Sequence, residues 1–177
     1  MMAMMQWFNL AQPGWRQLLL FKAGWLALVL QPLYSAVPIM LLLGVMIWQL
    51  RTVQWQTLLT LGLTGLLLDS VLVQVGAMQV NSVWLPYWLV LLWAWFSLFW
   101  VTVFSRWLQN SLLVALFGLC GGPLAYWGGA QLSSNLQVAD GAQFWLVQAP
   151  AWAALLLWSK QTEIWWKHLQ QEKQHAH

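Results

Sequence analysis

From Leu85 to Phe104 the chain reads LPYWLVLLWAWFSLFWVTVF, without one charged side chain. Wound as a helix at 1.5 Å per residue, such a run reaches about 30 Å, the thickness of a bilayer's hydrocarbon core. Similar runs recur along the chain and are continuous, not alternating, which disfavours a β-barrel and predicts membrane helices. On that ruler six spans are expected, at about 18–33, 36–50, 56–75, 85–104, 111–129 and 144–158. The first two are short and meet at Gln31-Pro32, so they read either as two crossings or as one re-entrant hairpin. Residues 1–17 read as an interfacial segment held by Trp7, Phe8 and Trp15, residues 18–158 as the transmembrane domain, and residues 159–177 as a polar cytoplasmic tail. The expected fold is therefore an all-α, polytopic transmembrane bundle of about six helices.

Charge supports the same picture. Only 6% of the residues are charged, against roughly 25% in soluble domains, so the chain cannot clothe a surface facing water. The net charge of +3 does not point to nucleic acid, because the basic residues stand singly at the ends of apolar runs and form no stripe. With six crossings, Arg16, Lys22, Arg51, Arg106, Lys160, Lys167 and Lys173 all fall on one side, while the opposite loops carry Asp140. That asymmetry predicts both termini on the cytoplasmic side. Most of the tryptophans lie near predicted boundaries, where indole favours the headgroup zone; Trp93, Trp95 and Trp100 lie deeper and need packing or hydrogen-bond partners.

Reactive chemistry is sparse. A single cysteine, Cys120, excludes an internal disulfide. His168, His175 and His177 belong to the polar tail and make a weak metal pattern, so neither metal nor cofactor is expected. No catalytic set is visible, and the residues lean away from an enzyme.

One acid stands out. In GLLLDSVLVQVG, Gly65 to Gly76, apolar residues surround Asp69. An intramembrane carboxylate is costly, so it is expected to face inward and to have partners. No Lys or Arg lies at its depth, which leaves neutral donors. Counting along the spans places Tyr126 and Trp88 in the same layer, and these with Asp69 and Ser70 form a candidate buried polar site. Its role is open between function and a knot that fixes helix orientation. A second feature is GLCGGPLAYWGG, Gly118 to Gly129. Gly118 and Gly122 have the spacing that lets helices approach closely. With Pro123 and Gly129 they are candidates for a packed, bent helix, or for a broken helix lining a substrate cavity.

Three stretches, GLLLDS (Gly65–Ser70), LPYWLVLLWAWF (Leu85–Phe96) and GGPLAYWGG (Gly121–Gly129), together resemble a bacterial inner-membrane family known as domain-of-unknown-function family 2878. The resemblance runs from about Leu20 to about Leu157. It singles out Asp69, Pro86, Trp88, Trp93, Phe96, Gly122, Pro123, Tyr126 and Gly129, and implies a bacterial inner-membrane location without an established activity. Genes of that family often neighbour those of fatty-acid-modifying enzymes, which implies a link to lipid modification or stress. Three roles then compete: an accessory protein linked to membrane lipid, a small and oligomeric transporter, and an intramembrane lipid-modifying enzyme. Membrane lipid is the expected partner, with a protein partner or a second copy of the chain beside it.

Overall fold

The computed structural model describes residues 14–82, 85–139 and 141–175. Residues 1–13, with Trp7 and Phe8, and also Trp84, Asp140 and His177 lie outside the described residues. Among the described residues there are six helices: α1 (Trp15–Leu30), α2 (Pro32–Ile47), α3 (Thr52–Gln74), α4 (Tyr87–Trp107), α5 (Ser111–Leu132) and α6 (Ala142–His175). Three of them, α3, α4 and α5, are long and apolar enough to cross a membrane. An all-α bundle is what the uninterrupted apolar runs predict, and six helices match the expected number.

Helix α4 is the centre of the bundle. Two thirds of its apolar window (67%) is buried, against 33% for α3 and for α5, and its neighbours are α1, α2 and α3. Helix α6 packs against both α5 and α3. Helix α1 runs antiparallel to α4, because the Phe21 ring meets Phe104 at 5.1 Å while Gly24 lies against Trp95. Helix α2 must then return to the starting end, since residues 48–51 alone separate it from α3. Each of α1 and α2 has 16 residues, about 24 Å of helix. The one-residue break at Gln31 is held by Gln31 N–H to Ala27 O at 2.9 Å and by Ser35 Oγ–H to the same carbonyl at 3.0 Å.

The outside of the bundle is apolar. On α3 the buried positions include Leu58, Leu61, Gly65, Asp69 and Leu72. The opposite stripe, Leu59, Leu63, Leu67 and Val71, is also apolar and more than half exposed. An amphipathic helix of a water-soluble protein would be polar there. Leu33, Tyr34, Leu112 and Leu146, all exposed, continue the apolar surface on α2, α5 and α6. Contiguous exposure on this scale matches hydrocarbon and not water.

Several local features were not foreseen. The chain leaves α3 through Gly76 at φ +73, with Gly76 N–H to Val73 O at 3.1 Å and Ala77 N–H to Leu72 O at 2.9 Å. This pair of bonds closes a Schellman motif, which needs a left-handed residue where Gly76 stands. It delivers the chain to β1 (Met78–Val80), which pairs antiparallel with β2 (Leu136–Val138), Met78 opposite Val138. The two loops at that end are thereby clipped together. Within α4, residues Trp100–Phe104 form a π-helical turn, and the Gln54 amide donates to Val101 O inside it at 3.3 Å. Of the two forms open to the polar tail, an exposed helix or disorder, it takes the helix, since α6 continues unbroken from its apolar part to His175. At the opposite, basic end, the Lys160 ammonium donates to Gln109 O and to Ser111 Oγ, tying α6 to the α4–α5 turn.

Candidate functional site

Asp69 occupies the buried stripe of α3, four residues after Gly65, so both face α4. Its side chain is fully buried. Tyr126 from α5 places its hydroxyl 2.8 Å from Asp69 Oδ1 and 2.7 Å from Oδ2. Trp93 from α4 donates its indole N–H to Oδ2 at 2.6 Å. Three helices thus meet on one carboxyl group through two neutral donors, as expected where no cation reaches. Of the other residues considered, Ser70 turns away and bonds Leu66 O at 2.8 Å within its own helix. Trp88 is buried but does not bond the acid; Trp93, five residues further along α4, takes that place. The signal for Trp93 lay in Gly65: a Cβ there would stand 2.3 Å from the Trp93 ring, so the glycine is the recess that admits the indole.

That recess gives a direct test. Gly65→Ala is expected to destabilise the protein by ~1–3 kcal/mol, the range for overpacking a filled core, and to push Trp93 off Asp69. Gly62→Ala, whose Cβ would meet Ser97 Oγ at an ordinary 3.5 Å, should change little. Thermal unfolding of the two purified variants in one detergent compares them.

Above the acid lies an aromatic cleft of about 310 Å³, walled by α1 (Phe21, Lys22, Trp25), α4 (Trp93, Phe96) and α5 (Gly121, Ala125), with Trp152 of α6 also lining it. Trp93 and Tyr126 line the cleft, and Asp69 lies out of it, behind them. Trp93 stacks on Trp152 with centroids 5.0 Å apart at 15°, and Phe96 meets both rings edge-on. The cleft follows the helix axes from Leu18 to Val29 on α1, roughly 17 Å at 1.5 Å per residue. Helix α1 leans on α4 and touches α5 little, so the cleft opens sideways between α1 and α5.

The glycine-rich stretch forms part of this wall. Gly118 lies against the Ala153 backbone of α6, Gly122 against the Trp152 ring, and Gly129 near Leu136, Trp25 and Val29. Pro123 is buried inside α5, which runs on past it. Trp95, the neighbour of the central ring group, donates its N–H to Phe21 O at 3.1 Å, anchoring α1 to α4. Among the described residues no group of His, Cys, Asp or Glu could hold a metal ion.

A helical bundle with an apolar exterior, three helices able to cross a bilayer and a buried, neutral-donor carboxyl site defines a membrane protein. Residues 14–158 match the family described as protein of unknown function (DUF2878), and the chain belongs to that family. No curated protein and no solved structure matches it.

Proposed function

We propose that this is a multi-pass protein of the bacterial inner membrane, with both termini cytoplasmic, that binds the apolar chain of a membrane lipid in the α1–α5 cleft. Its role would be that of an accessory protein in lipid modification or stress response, with the helix beyond Trp158 facing the cytosol as a place for a protein partner. The cleft carries this proposal. At about 310 Å³ it stands at the lower end of ligand pockets, with room for on the order of ten methylene-sized groups. It is narrow, lined by rings, parallel to the helices and open towards lipid, the shape an acyl chain fills.

Transport of a polar solute is less well supported, because the Trp93 and Tyr126 side chains stand between the cleft and Asp69, and the acid is fully buried. The orientation rests on the basic end: Arg16, Arg51, Arg106 and Lys160 lie at the end of the bundle where α1, α3 and α5 begin.

Filling the cleft tests the proposal. The wild-type protein, purified in mild detergent, is expected to retain about one lipid per chain by native mass spectrometry. Ala125→Trp, which puts an indole into the cleft from α5, should lose most of it while keeping its helical content. Equal retention by both proteins would place the lipid elsewhere and remove the basis of the proposal.

A further inference from the structure

We infer that Lys22 is a headgroup site, and that the lipid held in the cleft is anionic, its phosphate or carboxylate over the Lys22 ammonium and its chain running along α1 towards Val29. This rests on the cleft as a lipid site and adds the charge of the occupant.

Lys22 is the one charged side chain in the cleft lining. It sits seven residues after Trp15, about 10 Å into α1, and it is exposed on an otherwise apolar face. A cation at such a position either reaches for the interface along its aliphatic stem or finds an anion. The chain offers it little. It has four acidic residues in all: Asp69 is enclosed by Tyr126 and Trp93, and Glu163 pairs with Lys167 at 2.6 Å. Glu172 belongs to the far end of α6, and Asp140 lies outside the described residues. Among the described residues Lys22 makes no ion pair; its ammonium stands 5.0 Å from the Trp25 ring centroid. A ring in that position holds a cation by its π face without neutralising it, leaving the three N–H donors for an external oxyanion.

The polarity of the cleft agrees. Its cation is near the basic end, and beyond it come only rings, aliphatic groups and glycines, up to Trp88 and Leu136. An inner-leaflet lipid in its ordinary orientation meets that sequence of surfaces head first and chain last.

The test uses the full chain in detergent, offered phosphatidylglycerol, phosphatidylethanolamine and palmitate separately and in equimolar mixture, with bound species read by native mass spectrometry. Wild type is expected to favour the anionic probes over phosphatidylethanolamine by about fivefold, the gain typical of one basic residue beside an anionic surface. Lys22→Gln should abolish the preference while still binding a lipid, and Lys22→Arg should restore it. Preference for phosphatidylglycerol alone, or for palmitate alone, identifies phosphate or carboxylate as the headgroup chemistry. A preference that survives in Lys22→Gln, or an absence of preference in wild type, overturns the inference about Lys22 and leaves the cleft proposal standing. Loss of binding by Ala125→Trp with no effect of Lys22→Gln has the same meaning. Equal binding of every lipid by wild type and Ala125→Trp removes the cleft itself.

Discussion

Asp69→Ala is expected to lower the stability of the purified protein by ~2–4 kcal/mol. The carboxyl group satisfies Trp93 at 2.6 Å and Tyr126 at 2.7 Å, so its removal leaves two donors orphaned where water does not reach. In water-soluble proteins each such group costs about 1–3 kcal/mol, whereas interhelical hydrogen bonds in membranes average ~0.6 and reach ~1.7 kcal/mol. The higher values apply here, because α3, α4 and α5 converge on this one group. Asp69→Asn keeps an acceptor of similar shape and should lose about 1 kcal/mol. Tyr126→Phe should behave likewise. The double variant Asp69→Ala/Tyr126→Phe removes acceptor and one donor together, and is expected to lose less than the two single changes added. Thermal unfolding followed by circular dichroism in a fixed detergent reads all four. Additive losses would mean that Asp69 and Tyr126 do not share a bond, and an unchanged Asp69→Ala would mean that the acid is wet.

How much of this could be read beforehand differs from element to element, and the reason is range. Spans are local: a run such as GLLLDSVLVQ declares a helix by itself, and the charges at its ends declare a side. The inward aspect of Asp69 follows from cost alone, since a carboxylate on the lipid face would be prohibitive. Tyr126 comes level with it by counting residues along two helices that run the same way. Trp93 was harder to find. Helix α4 enters from the opposite end, and its starting residue decides which indole comes level with the acid. It begins at Tyr87, so Trp93 and not Trp88 arrives there. The depth of Trp93 called for a partner, and Gly65 is a gap in the helix that faces it, but neither fixes the register that pairs this indole with Asp69.

The β1–β2 pair and the π-helical turn left no periodic trace, because each is too short to repeat a pattern. In hindsight the similar strings MQV and LQV, residues 78–80 and 136–138, mark the strands, each carrying Gln flanked by apolar residues. A cavity beside the glycine-rich helix was one of two readings of that stretch, but its place and shape were hidden for a different reason. It is a space between α1 and α5, produced by how far apart two helices settle. Rings and glycines that read separately as boundary aromatics and packing residues become one surface only once those helices are placed.

The second large effect concerns how α5 is held. A Cβ at Gly118 would lie 2.6 Å from the Ala153 Cα and 2.8 Å from its N. Those are backbone atoms of α6, so relief requires one helix to move away from the other. Gly118→Ala is therefore expected to cost ~1–3 kcal/mol as overpacking, in spite of the gain of up to ~1 kcal/mol that Ala brings to a helix interior; Gly118→Leu should cost more. At Gly122 the obstacle is the Trp152 ring at 2.2 Å, a side chain, but one fixed by its stacking on Trp93. Gly122→Ala should thus be nearly as harmful, and it should disturb the cleft through Trp152 and Trp93 as well. Gly129 is different, with Leu136 at 3.5 Å and nothing nearer; there Ala should be neutral or slightly stabilising. The expected order of melting temperatures is Gly129→Ala at or above wild type, then Gly122→Ala, then Gly118→Ala, then Gly118→Leu. If Gly118→Ala melts with Gly129→Ala, helices α5 and α6 are not in backbone contact, and the wall that shapes the cleft from that side is not where the structure puts it.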